Sequence, residues 1–440
     1  MEENRLERLL LRDVLLPDFD TLETRKVDVL IEDGRFVRFA PQIADHAARV
    51  VEGGGRLLLP AMVDTHTHMV QSLTKGPLDD LNITQWLTRM LRVQWSLNEE
   101  EWYWGVLLGC LQALRCGVTA INEMTYWPHI DAVAQAYTDC GIRATFGIGS
   151  TDIAENAQVK VIPLAENLRR AATIYERYHG KGRLRTSVAP QGRPACTPEL
   201  MRAMKDFARE RGLIFHTHLA EGKAETQAVR AWTGRGEAEE LDRLGVLDED
   251  TVLAHVIWIS EAEIDLLAAR GAWVAHCPST NMKLSDGIAP VARMLARGCH
   301  VAFGCDGEAS SANRDLLREA RHGSFLQKAT TLDPTVLPAG QCYRMLTQDG
   351  ARALGYRDLG RLEAGCLADF SLVRAEGLFT TNRARLLTNL LYAGDAAGQI
   401  DAVYIEGRPV VQDGALLGFS LPEVLAKCEE ILARVEARLK

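Results

Sequence analysis

The sequence has no uncharged apolar run that approaches the roughly 20 residues of a membrane span. Its N-terminus, MEENRLERLLLRD, carries acidic residues where a secretory signal needs a basic region before a continuous apolar core. No stripe of Lys and Arg is present, and the formal net charge is −9. We therefore expect neither a nucleic acid nor a membrane as a partner.

Cysteine pairing motifs are also missing. The 10 cysteines include no CxxC pair, and several, such as Cys110, Cys116 and Cys277, lie inside apolar segments. This distribution is typical of reduced, buried thiols, so a cytoplasmic location is expected. The chain also lacks repeats of fixed period and low-complexity linkers. Its 440 residues are enough for one large domain and a smaller one.

The central part of the chain alternates short apolar runs with amphipathic stretches. Capping residues mark where helices begin: Asn98 with Glu101 at one helix, Thr197-Pro198 at another, and Ser260 at a third. The predicted strands are LLLPAMVDTH, VTAINEM, IRATFGIG, LRTSVAP, LIFHTHLAE, TVLAHV, AWVAHCP and HVAFGCD. Eight strands that alternate with helices predict an α/β fold, a parallel (β/α)8 barrel over residues 57–359.

The two flanks of this region have a different character. Residues 1–56 contain short β-like segments with a turn at Asp33-Gly34, and residues 360–418 repeat that pattern. Neither flank alone has enough strands for a stable sheet, so we predict one small β-sandwich domain built from both termini. Residues 419–440 predict an amphipathic C-terminal helix with a core-facing stripe of Val424, Cys428, Ile431, Val435 and Leu439.

Five residues at the ends of four apolar runs predict a metal site: His66, His68, His218, His255 and Asp306. His66 and His68 are two positions apart, so on a strand both side chains face the same cation. Imidazole nitrogen with carboxylate oxygen is the donor set of catalytic Zn²⁺ and Fe²⁺ sites. In the predicted barrel these residues follow strands one, five, six and eight, and their carboxyl ends meet at one face.

The motifs LPAMVDTHTH, HLAE, LAH, HCPSTNMKLSDGIAP, GCDGEASS and GRLEAGCLADFSLV cover nearly the whole chain. The chain resembles the amidohydrolase superfamily, in particular its mononuclear-metal branch of aminohydrolases. That branch includes deaminases of adenosine, S-adenosylhomocysteine and guanine type and s-triazine chlorohydrolases. The resemblance implies one divalent metal, with Zn²⁺ expected and Fe²⁺ as the alternative. It also implies metal ligation by His66, His68, His218 and Asp306, with Glu221 and His255 acting beside the metal.

The implied chemistry suits these residue types. A divalent metal lowers the pKa of its bound water to roughly 7, which makes hydroxide accessible at neutral pH. Asp306 would ligate the metal and accept the water proton as hydroxide attacks an electron-poor ring carbon. Glu221 would protonate the ring nitrogen and assist the departing amine. His255 would hold the attacking water or the tetrahedral centre.

Other residues near these motifs are candidates for substrate contact. Gln71, Trp86, Gln94 and Gln191 are the predicted substrate-binding residues, with Trp86 stacking on a planar heterocycle. Gln94 and Gln191 stand where nucleoside-type relatives have a ribose-binding Glu and a His. His216 is expected in the core or behind the metal ligands. His276 is either a substrate contact or a structural residue, and Glu308 either pairs with a substrate group or faces solvent.

The predicted function is therefore metal-dependent hydrolytic deamination of an amino-substituted N-heterocycle of purine, pterin, pyrimidine or triazine type. The first alternative is a triazine-type hydrolase that displaces chloride or alkylamine. Deamination of S-adenosylhomocysteine or methylthioadenosine and opening of a cyclic amide are further alternatives. A catalytically inactive scaffold of the same fold would be expected to lack some of the ligands. We expect a homo-oligomer, a dimer or larger, that acts on a small molecule.

Overall fold

Strands from the N-terminal flank begin one sheet. The computed structural model describes residues 8–46, 48–154, 160–377 and 382–439. Residues 1–7 of the predicted flanking domain and the side chain of Leu439 therefore lie outside the described part. The first five strands are β1 (Leu9–Pro17), β2 (Thr24–Glu32), β3 (Arg35–Ala40), β4 (Arg49–Glu52) and β5 (Leu57–Pro60). Asp33 and Gly34 both have positive φ, 49° and 73°, and they form the predicted turn between β2 and β3.

The next ten strands form a ring of parallel neighbours. They are β6 (Met62–His68), β7 (Val118–Thr125), β8 (Arg143–Ser150), β9 (Leu184–Thr186), β10 (Ala189–Pro190), β11 (Phe215–Leu219), β12 (Thr251–His255), β13 (Trp273–His276), β14 (His300–Phe303) and β15 (Asp306–Gly307). One sheet contains β15 and β6–β10, and a second contains β11–β14. A parallel bridge between Val188 and Phe215 joins the two sheets. Pairing of β15 with β6 completes the ring. With β9 and β10 counted as one strand beside β8, and β14 and β15 as one strand, the ring has eight strands and the arrangement is that of a (β/α)8 barrel.

Helices separate the barrel strands, and two of the predicted capping boxes are present, at Asn98 and at Ser260. The helices through the barrel are α1 (Ile83–Gln94), α2 (Glu99–Arg115), α3 (Ile130–Cys140), α4 (Leu164–Tyr178), α5 (Pro198–Arg211), α6 (Lys223–Thr233), α7 (Glu237–Arg243), α8 (Glu261–Arg270), α9 (Pro278–Lys283), α10 (Val291–Ala296), α11 (Glu308–Ser311), α12 (Leu316–Thr331), α13 (Ala339–Leu346) and α14 (Gln348–Ala353). A 3₁₀ helix, Met69–Thr74, follows β6.

The C-terminal flank adds its strands to the first sheet. These strands are β16 (Phe370–Val373), β17 (Ile400–Ile405), β18 (Arg408–Gln412) and β19 (Ala415–Leu416). The sheet has nine strands in the order β19-β18-β17-β16-β5-β1-β2-β3, with β4 beside β1. Antiparallel pairing of β16 with β5 therefore joins the two ends of the chain. That this sheet forms a β-sandwich stays a prediction.

The boundary between sheet and barrel differs from the one expected. The run LLLPAMVDTH was predicted as a single barrel strand, but Leu57–Pro60 pairs with β16 of the flanking sheet and only Met62–His68 belongs to the barrel. A continuous apolar run does not reveal where one sheet ends and the next begins, because both sites are buried. Arg143 on β8 connects the two units, donating from Nε and Nη2 to the Asp369 carboxylate at 2.6 and 3.1 Å.

The C-terminal segment is helical. After a 3₁₀ turn (Arg383–Arg385), α15 (Leu386–Ala393) and α16 (Ala396–Gln399), the helix α17 spans Leu421–Leu439. Its apolar stripe is buried: Val424, Cys428, Ile431 and Val435 are at most 3% exposed. Arg438 near its end donates to the Glu101 carboxylate on α2 at 2.8 and 2.9 Å. None of the described helices combines the length and the apolarity needed to cross a membrane.

Candidate metal centre and active site

The predicted site residues lie at the carboxyl ends of the barrel strands. His66 and His68 end β6, His218 lies on β11, His255 ends β12, and Asp306 begins β15. They meet at a cavity of about 130 Å³ whose wall includes His68, His218, His255 and Asp306. Side chains at the ends of parallel strands converge there because the strands tilt around a common axis.

The donor atoms of these residues form two groups that share His66. His66, His68 and His218 have ligand atoms within 4.8 Å of one another, and so do His66, His255 and Asp306. Asp306 Oδ1 lies 3.3 Å from His66 Nε2 and 3.4 Å from His68 Nε2. His66 is fully buried, yet its Nε2 has no hydrogen-bond partner among the described residues. A divalent cation that prefers imidazole and carboxylate donors fits this arrangement.

The second ring nitrogen of each histidine is held by a neighbour. The four contacts are His66 Nδ1 with His216 Nε2 at 2.8 Å, His68 Nδ1 with the Met124 carbonyl at 2.7 Å, His218 Nδ1 with the Gln191 carbonyl at 2.7 Å, and His255 Nδ1 with Asn281 Oδ1 at 3.0 Å. Contacts of this kind fix the ring orientation and leave Nε2 for the metal or the substrate. His216 therefore lies behind the proposed ligand His66, which is one of the two positions expected for it.

Burial sets the charge of these groups. Burial lowers the pKa of His66 to about 4 and lowers the pKa of His218 well below its usual value, so the imidazoles are neutral at pH 7. Burial alone would raise the pKa of Asp306, but the surrounding histidines hold that pKa well below its usual value. Neutral imidazoles and an ionised carboxylate are the protonation states that bind a divalent metal.

Glu221 lies beside His255 at the edge of this cluster. Its Oε1 is 3.5 Å from His255 Nε2, and it lines the cavity. Burial, and then the charges of Asp286 and Asp306, raise the pKa of Glu221 well above its usual value. A carboxyl group with a raised pKa keeps its proton to higher pH than a free carboxyl does, and can donate it to a bound molecule.

The backbone around the site adopts conformations that the sequence did not predict. Ala220, His255, Val256 and Asp306 have φ values of 50°, 72°, 50° and 59°. Non-glycine residues in this region cost about 1–3 kcal/mol each, and such residues cluster at functional sites. Ala220 and Val256 are residue types that rarely adopt positive φ, so the sequence offered no signal there.

The predicted substrate contacts fall into two groups. Gln71, Trp86 and Gln191 line the cavity. Trp86 donates from Nε1 to the Ala309 carbonyl at 3.2 Å, and Gln191 donates from Nε2 to the Tyr126 hydroxyl at 2.8 Å. Gln94 is 3% exposed and is not among the described residues of the cavity wall. Substrate contact by Gln94 therefore has no support from the geometry.

Glu308 and His276, for which the sequence left two alternatives each, are both buried. Glu308 is 1% exposed, and its carboxylate contacts Lys75 Nζ at 2.8 Å and Arg314 Nε at 3.6 Å. It therefore faces neither solvent nor the cavity. His276 is 1% exposed and packs against Phe303, and neither His276 nor Glu308 is among the described cavity-wall residues. Both ring nitrogens of His276 lack a hydrogen-bond partner among the described residues.

Several residues near the site were not identified from the sequence. Glu123 of INEM accepts from the Met69 backbone nitrogen at 2.9 Å, and burial raises its pKa to about 8. Asn281 of STNMK orients His255. Glu225, Glu237 and Lys160 line the cavity. Only the position of Asn281 inside a recognised motif could have indicated its role; the others come near the site through the fold.

The chain matches known proteins over most of its length. The model of the amidohydrolase family matches residues 57–410. A 5'-deoxyadenosine deaminase of Methanothermobacter thermautotrophicus is 36% identical over 396 residues, 89% of this chain and 91% of that protein. A 5-methylthioadenosine/S-adenosylhomocysteine deaminase of Halothermothrix orenii is 36% identical over 389 residues, 88% of each chain.

Solved structures agree with these matches. The crystal structure of an adenosine deaminase from Xanthomonas campestris with bound zinc superposes with a TM-score of 0.92 and 28% identity, covering 98% of this chain and 99% of that one. The family model, the curated relatives and the solved structure agree on an amidohydrolase with deaminase relatives. The predicted assignment to hydrolases of C–N bonds is therefore confirmed. The chain belongs to the amidohydrolase family.

Proposed function

We propose that this protein is a metal-dependent deaminase of an amino-substituted N-heterocycle, with an aminopurine ring as the leading substrate class. The observation that carries the proposal is the cluster of His66, His68, His218 and Asp306 with Glu221 and His255 beside it, five of which line one cavity while His66 lies behind its wall. The relatives named as deaminases of adenine nucleosides support the aminopurine ring. Zn²⁺ is the proposed ion, supported by the zinc in the related crystal structure, with Fe²⁺ as the alternative.

Each residue has a proposed role in the reaction. His66, His68, His218 and Asp306 would hold the cation, which would supply Lewis-acid activation of a water. Asp306, whose pKa is held well below its usual value, would accept the proton of that water. Glu221, whose raised pKa favours the protonated form, would donate its proton to the ring nitrogen next to the carbon under attack. His255, oriented by Asn281 through its Nδ1, would use its Nε2 to contact the attacking water or the carbon under attack.

The cavity wall suits a flat ring with polar edges. Trp86, Leu87 and Met90 of α1 provide an apolar wall, and Gln71 provides an amide. A planar heterocycle packs well against aromatic and aliphatic side chains, and its ring nitrogens need hydrogen-bond partners. The Gln191–Tyr126 pair provides two further polar groups that hold each other in place.

The preference between a free base and a nucleoside is the finer part of the proposal. Gln191, on the cavity wall, stands where we expected a histidine in nucleoside-type relatives. That difference favours free rings. The names of the two curated relatives favour nucleosides, so deamination of methylthioadenosine-type compounds is the second candidate.

A substrate panel with zinc-loaded protein tests the proposal. Ammonia release would be measured for adenine, guanine, amino-pterins and amino-triazines against adenosine, 5'-deoxyadenosine, methylthioadenosine and S-adenosylhomocysteine, with chloride release from chloro-triazines in parallel. We expect ammonia from at least one aminopurine with kcat/KM above about 10⁴ M⁻¹s⁻¹. Chloride release without ammonia release would support the triazine-type hydrolase instead. No turnover of any ring by protein with full metal content would contradict the proposal.

The setting of the enzyme is part of the same proposal. None of the 10 cysteines, all of which lie in the described part of the chain, forms a disulfide. Buried free thiols support a reducing compartment, so we place the protein in the cytoplasm. A homo-oligomer remains a prediction, which sedimentation of the purified protein would test.

A further inference from the structure

The seam at which the last barrel strand meets the first is short in backbone pairing. Strands β15 and β6 share two paired positions, Asp306 with Thr67 and Gly307 with His68, whereas β11 and β12 share five. Three of the four proposed metal ligands lie on this seam, His66 and His68 on β6 and Asp306 on β15. The distance between these ligands therefore depends on contacts other than the strand ladder.

Side chains supply those contacts. The Thr65 hydroxyl donates to the Phe303 carbonyl at 2.9 Å, and the Thr67 hydroxyl donates to the Asp306 carbonyl at 3.2 Å. From the other strand, the Cys305 backbone nitrogen donates to Asp64 Oδ1 at 2.9 Å. All of these groups are buried, so each hydrogen bond is shielded from water.

Arg314 adds the contacts that reach the metal ligands themselves. Its Nη1 donates to the Asp306 carbonyl at 2.5 Å and to the Thr67 hydroxyl, and its Nη2 donates to the His68 carbonyl at 3.1 Å. One guanidinium therefore spans both strands of the seam. The Asp306 backbone has a φ of 59°, a conformation that persists only where its surroundings hold it.

Glu308 accompanies this guanidinium. Its carboxylate lies 3.6 Å from Arg314 Nε, and both side chains are 1% exposed. Its Oε1 accepts from Lys75 Nζ at 2.8 Å, and Lys75 follows the 3₁₀ helix that carries Gln71. A buried guanidinium is costly unless a charge compensates it, and Glu308 provides that charge.

We propose that Arg314 is a positioning residue of the metal centre, with Glu308 as the counter-charge that keeps it in place. Arg314 fixes the spacing of His68 and Asp306 across the seam and so sets the geometry in which the cation is held. It acts through the backbone of the ligands and is not among the described residues of the cavity wall. This inference rests on the proposed metal-dependent function.

The experiment compares metal affinity and stability in matched variants. Arg314→Lys keeps the charge beside Glu308, but an ammonium cannot span the three oxygens that the planar guanidinium bridges. The double variant R314M/E308L removes both charges, which a buried pair often tolerates. Arg321→Lys is the control. Arg321, on α12, also donates to two backbone carbonyls, those of Leu391 and Gly394, but neither belongs to a proposed metal ligand.

Zinc dissociation constants would be measured by competition with a chromophoric chelator, and melting temperatures on the metal-free proteins. We expect R314K and R314M/E308L to weaken zinc binding by about tenfold or more, the size usual for groups that orient ligands. The control R321K should bind zinc as the parent does. With saturating zinc, kcat should fall in both Arg314 variants while KM stays within about threefold of the parent value.

The outcomes separate this inference from the proposed function. If R314K bound zinc as tightly as the parent and R321K do, the positioning role would be overturned. The same conclusion would follow if R314M/E308L had the zinc affinity and the melting temperature of the parent. If the double variant does not fold, R314K with its retained charge decides alone. A parent protein that binds no divalent metal would instead contradict the proposed function.

Discussion

Replacement of Glu221 by Gln is the most direct test of the proposed chemistry. The change removes the proton that Glu221 would donate but keeps nearly the same volume. Glu221 lies on the cavity wall with its Oε1 3.5 Å from His255 Nε2, and it is not one of the proposed metal ligands. We therefore expect the variant to keep its metal and bind substrate while its turnover collapses.

The size of the effect follows from proton transfer. General acid–base catalysis contributes roughly 100- to 10,000-fold, which is about 2.7 to 5.4 kcal/mol of transition-state stabilisation. The pH dependence gives a second signature. Burial raises the pKa of Glu221 well above its usual value, so its proton persists to higher pH than that of a free carboxyl and is lost as the pH rises through that raised pKa. The parent rate should fall on the alkaline side, and the residual rate of E221Q should lack that decline.

The assay is ammonia release under saturating substrate, with metal content measured on the same samples. Glu225→Gln is the matched control, because Glu225 lines the same cavity and burial raises its pKa too. We expect E225Q to keep kcat within about tenfold of the parent. If E221Q also turned over within about tenfold of the parent, the proton would have to come from another group and the proposed role of Glu221 would be refuted.

Further predictions concern the metal, stability and the link between the two units. His218→Ala should lose metal and activity together, and two metals per chain in the parent would contradict a mononuclear site. Ile431→Ala, at a fully buried position of α17, should lower the free energy of unfolding by about 2–5 kcal/mol in urea titrations. Arg143→Met should cost about 3–5 kcal/mol, since it leaves the buried Asp369 unpaired. A loss under about 1 kcal/mol would show that this pair does not hold barrel and sheet together.

Local sequence patterns were enough to predict the barrel and to select the residues of the proposed metal centre. Alternation of apolar and polar positions and the capping residues at Asn98 and Ser260 depend on a few neighbouring residues, so they can be recognised without a structure. His66 and His68 could be grouped because a strand brings residues two apart to one face. Glu221 follows His218 by three residues, and both side chains line the same cavity.

Features that depend on distant parts of the chain could not be predicted in this way. The end of one sheet at Pro60 is decided by pairing with β16, more than 300 residues later. The contacts of Glu308 with Lys75 and Arg314, residues far apart in the chain, could not be predicted from the sequence.

Periodicity and motif spacing therefore determined the fold class and the candidate ligands of this protein, because both are properties of single strands and their ends. Tertiary structure decided which polar groups face the cavity and which face each other. Gln94 was predicted to contact substrate, and Glu308 either to pair with a substrate group or to face solvent; both side chains are buried and are not among the described residues of the cavity wall. The reason is physical: the environment of a side chain at a strand or helix end is set by packing of elements far apart in the chain, and a single sequence does not record those contacts.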